Sequence, residues 1–335
     1  MLDNTDKKVL AALFADARKP LSAISRANGL TREIVEYRMT TLVQKKVISA
    51  FVTRINQKYF CAGVAQVRVK LLRADNERFE RIIEAVANHP SVNWAAELCG
   101  DADLIMTILY LNSEDLAKIT GELLASMGDL VREQDVALYT KEHKYNMLGL
   151  VKPDEVSTAP PVTFSGQEHI SLDDKDFIIL HELAHNCRAT IVALARSTKL
   201  SEDTVRQRIH SLEKNNVING YTILLDAAAC NYELYYLRFL VEQFTPEISS
   251  KFNYYVWTNP YITFCCETVG NYNIVLTIAA QNHKHFLDIL LDIRKHFGTL
   301  LTDYEFQIIV RELKVVYVPT RLLQVERGKE RVKNK

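Results

Sequence analysis

Three kinds of short stretch carry residue types that could do chemistry. The first is His181-Glu182-Leu183-Ala184-His185. Two histidines at i and i+4 on a helix can hold zinc, with the intervening glutamate as the base of a hydrolytic reaction. The second is Gly100-Asp101-Ala102-Asp103, echoed at Gly270-Asn271-Tyr272-Asn273. A glycine lets backbone come close to a carboxylate, and an aspartate can pair with an ammonium group. The third is LTREIVEYRMTTL at Leu30 to Leu42, echoed by LSEDTVRQRIHSL at Leu200 to Leu212. Each places polar side chains on a helix in the pattern that could read DNA. They are Arg32, Glu36, Tyr37 and Arg38 in the first, and Thr204, Arg206, Gln207 and Arg208 in the second. Arginine matches a guanine edge and glutamine an adenine edge.

The echoes are systematic. Residues 2–56 lie on 172–226 without a gap, and Leu2, Asp3, Asp6, Leu10, Leu13, Arg18, Arg38 and Leu42 are among those meeting an identical residue 170 positions on. The chain is two copies of a module of roughly 150 residues. The expected domains are 1–60 and 61–150 in the first copy, a Pro/Ser/Thr-rich linker over 151–170, then 171–230 and 231–320, with a basic tail over 321–335. Each copy opens with two short helices, a turn at Gly29 or Lys199, and a third helix behind a capping hydroxyl, Thr31 or Ser201. Val35, Met39 and Leu42, like Val205, Ile209 and Leu212, form the buried stripe of that helix. VISAFVTRI and VINGYTILL follow as an extended hairpin-type wing. Strands and helices then alternate in the order βαββαβ, the plan of a ferredoxin-like sandwich, so the fold class is α+β.

This frame disarms the zinc pattern. The repeat sets His181 to His185 opposite Ala11 to Ala15, on the first helix of a helix-turn-helix, where Leu183 meets the core position Leu13. No third ligand stands at a persuasive spacing, so neither a metal nor a catalytic residue is expected. The six cysteines form no CxxC and are expected to be reduced, with Cys265 and Cys266 pointing to opposite faces of a strand. With no signal-like start and no apolar run of spanning length, a soluble cytoplasmic protein is expected. The formal net charge is zero.

A winged helix-turn-helix followed by βαββαβ resembles the Lrp/AsnC family of feast-or-famine regulators. The resemblance rests on LDNTDKKVLAALFADAR with GLTREIVEYRMTTLVQKKVI, and on LDDKDFIILHELAHNCR with LSEDTVRQRIHSLEKNNVI. The Gly-x-x-Asp entry to a strand is present as GDAD and varied as GNYN. The duplication departs from the family, whose members usually carry one copy. The resemblance implies a DNA-binding transcription regulator that pairs through its sandwich sheets and senses an amino acid or other small molecule. The effector residues it points to are Gly100, Asp101, Asp103, Gly270, Asn271 and Asn273. A tandem chain could supply both halves of a dimer internally, as a pseudo-dimer that can self-associate further.

Charge separates the two readers. Residues 1–56 hold ten Lys/Arg against five Asp/Glu, whereas residues 171–226 hold seven against eight. Phosphate neutralisation supplies most sequence-independent DNA affinity, which favours the first copy. Alternative roles stay open. Arg38 and Arg208 could pair with acids inside their own domain, the glycines could merely turn the chain, and the acids beside them could cap it. Two further function classes compete. One is an enzyme similar to the siroheme decarboxylases, which share this architecture and need Arg and His around a tetrapyrrole; no such cluster marks the wing-to-sandwich junctions. The other is a regulator-assembly protein with degenerate DNA binding.

Overall fold

The computed structural model describes residues 2–72, 75–152, 162–163, 170–242 and 244–323. The first copy contains α1 (Asn4–Ala15), α2 (Leu21–Asn28), α3 (Arg32–Gln44), β1 (Ile48–Ile55), β2 (Gly63–Leu71), α4 (Asn76–Asn88), β3 (Val92–Cys99), β4 (Leu104–Tyr110), α5 (Ser113–Met127) and β5 (Val131–Tyr145). A short β6 (Val162–Thr163) lies along β5. The second copy contains α6 (Asp174–His185), α7 (Ile191–Thr198), α8 (Glu202–Lys214), β7 (Ile218–Leu225), β8 (Glu233–Val241), α9 (Pro246–Thr258), β9 (Ile262–Val269), β10 (Ile274–Ala280), α10 (His283–Phe297) and β11 (Leu301–Val315), ending in a turn of helix, α11 (Thr320–Leu323). Most of the expected linker and of the basic tail lies outside the described residues.

Local chemistry sets the helix ends alike in both copies. Asp3 with Asp6, and Asp173 with Asp176, form capping boxes on α1 and α6. Thr31 and Ser201 cap α3 and α8 by accepting from Ile34 and Thr204 N–H groups. The turn before each third helix needs a left-handed residue, Gly29 in one copy and Lys199 in the other.

The wings differ from expectation. Neither copy forms a hairpin of its own, because β1 pairs antiparallel with β7, joining the two helix-turn-helix units in one two-stranded ribbon. A single strand cannot satisfy its own backbone donors and acceptors, and here the other copy supplies them. The exchange is reciprocal. The Ala17 N–H donates to Tyr221 O while Cys187 donates to Phe51 O, and α1 and α6 each pack on the other copy's strand.

The effector modules follow the same logic. Within each copy the strand order is that of a ferredoxin-like sandwich, β5-β2-β4-β3 and β11-β8-β10-β9. The 15-residue strands β5 and β11 are long enough to run past their own sheets. β5 goes on to pair with β9, and β11 with β3. Eight strands thereby close on themselves, and the expected face-to-face packing of two sandwiches is realised as one continuous closed sheet. Helices α4 and α5 cover one side with an apolar core around Val67, Met106 and Ile82, while α9 and α10 cover the other around Leu237, Leu276 and Phe252. At about 25 cal/mol per Å² of apolar surface, these two cores and the one uniting the helix-turn-helix pair supply the main stabilisation.

Candidate nucleic-acid interface and effector turns

The open face of α3 carries Arg32, Glu36 and Tyr37, all exposed, with 67% of Tyr37 open to solvent. On α8 the exposed residues are Arg206 and Gln207; Thr204 is half-buried and its hydroxyl lies 2.8 Å from the capping Ser201 hydroxyl. Arg206 lies 3.2 Å from Glu202 one turn back, an exposed pair that leaves it mobile enough for other partners. Arg38 and Arg208 occupy a different place. Arg38 reaches Asp3 at 2.7 Å and Asp6 at 3.1 Å, and Arg208 reaches Asp173 and Asp176 at 2.8 Å. Each guanidinium is held against the capping box of the first helix, so it fixes the third helix relative to the first. The capping N–H of Asp6 and the Arg38 guanidinium hold the Asp3 carboxyl below its usual range.

Two arginines passed over in the sequence reading hold the readers together. Arg18 donates to Cys187 O at 2.5 Å and lies over the Tyr221 ring at 5.2 Å. Its mate Arg188 donates to Ala17 O at 2.5 Å and lies over Phe51 at 5.7 Å. Their matching positions in the repeat were the available signal.

The two glycine turns sit where the copies meet. A side chain at Gly100, whose φ is +143°, would come within 3.1 Å of Gln307 on the other copy's β11. One at Gly270 would come within 3.0 Å of Ala137 on β5. The close approach that needs glycine is therefore to a neighbouring strand. Asp103 accepts from Leu71 N–H at 2.7 Å and lies 3.1 Å from Lys70 Nζ. Asn273 accepts from Val241 N–H at 2.9 Å and donates to Val241 O at 2.8 Å. Both residues brace a turn against the first strand of their module. Asn271 donates to Asp135 across the copy boundary at 3.1 Å, and Asp101 is exposed. Beneath the Gly100 turn, Gln307 is 2% exposed, and neither of its amide atoms has a partner among the described residues. A buried unpaired amide costs about 1–3 kcal/mol.

Inside the closed sheet lies a polar cluster that the sequence reading also missed. Arg238 bonds Asp135 of the other copy and Glu305 of its own. Its mate Arg68 stands 3.6 Å from each of the same carboxylates. Tyr236 donates to Gln66, whose amide donates to Tyr139 at 2.7 Å. Charged residues at matching places in otherwise apolar strands, as in VAQVRVKLL and YYLRFLV, were the clue.

The rings of His181 and His185 lie 4.5 Å apart on α6, tilted by 45°, with a ring nitrogen of His185 2.8 Å from the His181 carbonyl. Among the described residues, no group of three His, Cys, Asp or Glu is placed to hold a metal. All six cysteines are unpaired, and Cys265 and Cys266 are both buried. No described helix is long and apolar enough to cross a membrane.

Comparison with known proteins agrees with this frame. Residues 2–43 and again 172–213 match the AsnC-type helix-turn-helix domain, and residues 64–147 match the Lrp/AsnC ligand binding domain. The chain belongs to the Lrp/AsnC family. An HTH-type transcriptional regulator of Pyrococcus furiosus is 29% identical over 37% of this chain and 83% of its own length. The HTH-type transcriptional regulator LysM of Sulfurisphaera tokodaii is 30% identical over 39% of this chain and 91% of its own. Such relatives are spanned by a single copy. At full length, this Lrp/AsnC chain is similar in fold to the siroheme decarboxylase NirDL, with TM-scores of 0.60 and, in complex with an iron-uroporphyrin III analogue, 0.62. These matches cover 94% of both chains at 13% and 14% identity, a likeness of fold.

Proposed function

We propose that this chain is a DNA-binding transcription regulator in which one polypeptide supplies the pair of readers that other members of its family obtain from two. The observation that carries the reading is the β1–β7 ribbon with its reciprocal Arg18 and Arg188 contacts, which holds two helix-turn-helix units as one body with the outer faces of α3 and α8 open. Arg32, Tyr37 and Glu36 on α3, and Arg206, Gln207 and Thr204 on α8, are the residues for groove contact. Arg38 and Arg208 act by orienting those helices. The first reader dominates because its domain has the basic excess, so the two half-sites are unlike. For the effector, the Gly100 turn is favoured over the Gly270 turn. There a buried polar group of the other copy, the Gln307 amide, has no partner among the described residues, and the exposed Asp101 carboxylate is the group for an ammonium, Asp103 being held by Leu71 N–H and Lys70. One amino acid or similar small molecule per chain follows.

DNA selected from random sequence with the intact chain tests this. Arg32→Ala should cost about 1–3 kcal/mol of affinity at its half-site and Arg206→Ala less. Unchanged binding in both variants would refute the placement of the readers.

The second reading, a siroheme-decarboxylase-like enzyme, is favoured by the full-length fold likeness. Against it stands the chemistry where the wings meet the closed sheet. There stand the repeat mates Glu142, half-buried, and Glu312, which accepts from the Trp94 indole at 2.7 Å, and desolvation raises both carboxyls, Glu142 to about 7. The adjacent Lys144 and Lys314 are tied to backbone carbonyls. A tetrapyrrole edged with carboxylates would meet these acids in that place, together with the guanidinium of Arg54, whose buried Nε has no partner among the described residues. An unchanged siroheme absorbance spectrum after incubation with the chain is the expected result.

A further inference from the structure

The two strands that border the Gly100 turn both lead to α11. β4 begins just beyond the turn, at Leu104, and runs to Leu109 and Tyr110 at the opposite end of the first effector module. β11, whose Gln307 lies against Gly100, continues past Val315 into a short strap that ends in α11. There the two strands meet again through one side chain. Arg321 donates to Asp115 at 2.9 and 3.0 Å and to the carbonyl of Leu109 at 3.2 Å. Asp115 stands in the first turn of α5 and also accepts from the Leu111 N–H at 2.9 Å. A forked, charge-assisted pair of this kind fixes geometry as well as adding strength.

The strap also reaches the second reader. α11 packs on α6, and Leu323 is buried in the core that holds Phe177 and Leu180. The Val316 N–H donates to Asn93 O at 2.8 Å and Gln57 Nε2 to Tyr317 O at 2.7 Å, so the strap is fixed along its length. Among the described residues, no equivalent latch joins the second module to the first reader. The repeat mates of Arg321 and Asp115 are Val151 and His285. Val151 is buried among apolar side chains, and His285 lies edge-on to Tyr261 at 4.4 Å and accepts from the Gln281 N–H. The ion pair therefore occurs at one of two matching places, and the link runs from the first module to the second reader only.

We propose that the Arg321–Asp115 latch makes the second reader answer to the first effector module: a change at the Gly100 turn shifts α11, and α11 shifts α6. One ligand at one turn then adjusts one half-site and leaves the other, a coupling between two distinct sites across the copy boundary. The inference rests on the proposed function for the roles of the Gly100 turn and of α8, whereas the latch itself is a link between two parts of the fold. Continuity in space is not coupling, so the test is a cycle of paired substitutions.

Hydrogen exchange of the intact chain without DNA provides it. Arg321→Ala should speed exchange of the α6 amides about tenfold or more and leave those of α1 unchanged. Asp115→Asn should do the same, and adding it to Arg321→Ala should change nothing further. Gly100→Ala, which presses on Gln307, should alter α6 exchange in the otherwise native chain and not in the Arg321→Ala background. Should Gly100→Ala fail to fold, the two latch variants still decide. Equal loss of protection in α1 and α6 would overturn the proposal, because the effect would then be global. Unchanged α6 exchange in Arg321→Ala would overturn it too, as would a Gly100→Ala effect of the same size in both backgrounds. On DNA selected with the native chain, Arg321→Ala should thin the footprint over one half-site, and equal thinning over both counts against the latch. A native chain that leaves no footprint refutes the reading of α8, and the exchange results then decide the latch by themselves.

Discussion

At the scale of single residues, the repeat separates side chains that read from side chains that hold. Arg38 and Arg208 are identical in both copies because each copy must fasten its third helix to the capping box of its first, a need that does not depend on DNA. Arg32 and Glu202 face outward at corresponding places and differ, as residues free of packing are able to. Identity at an offset of 170 was thus a mark of architecture, and the sequence could not show which arginine was spent on an aspartate. Burial has a consequence at Glu142. Its carboxyl is raised from 4.5 to about 7 by desolvation alone. In the folded state it binds a proton that the unfolded chain has already lost, so stability falls as pH climbs from about 4.5 through 7. Glu142 is only half-buried, and water screens part of the penalty. Glu142→Gln should therefore be neutral at pH 5 and gain about 1–2 kcal/mol at pH 8 in urea unfolding. Equal stability of the two proteins at pH 8 would show the carboxylate to be solvated.

At the scale of elements, the helices were legible and the pairing of strands was not. The 3.6-residue periodicity, the capping hydroxyls and the turn residues act within a few positions of one another, so one copy read alone shows them. A strand's partner is a long-range fact. VISAFVTRI has the composition of a strand whether it pairs with a neighbour in its own copy or with VINGYTILL 170 residues away. The same holds for β5 and β11, whose second partners, β9 and β3, lie in the other copy. Because the ribbon is shared, its fastenings belong to both readers at once. Arg188→Ala removes a charged hydrogen bond to Ala17 O and the contact over Phe51, a loss of about 1.5–3 kcal/mol. It should weaken DNA binding as much as the mirror variant Arg18→Ala, although neither residue lies on a recognition helix. Binding that survives both substitutions would show that the ribbon alone sets the spacing of the readers.

At the scale of the whole molecule, duplication has turned a dimer interface into an interior. The Arg68, Arg238, Asp135 and Glu305 cluster and the Tyr236–Gln66–Tyr139 bonds sit on the boundary between copies, where charges are costly to bury unless their partners are in place. Each half holds one arginine and one carboxylate, and the second partner of each comes from the other copy. Gln66 also stands where the repeat mate is Tyr236, so the bond joins unlike copies and favours the pairing of first with second. With the sheet closed across both seams, the copies should unfold as one cooperative unit in spite of the linker between them. The two tryptophans offer a direct reading, since Trp94 lies in β3 of the first copy and Trp257 in α9 of the second. Fluorescence of the Trp94→Phe and Trp257→Phe variants in guanidinium should report the second and first copies separately. The two curves should share one midpoint once each variant's own stability change, measured by circular dichroism, is subtracted. Midpoints that differ after that correction would mean that β5 and β11 release their second partners before either module melts, and that the chain is two domains in contact instead of one closed body.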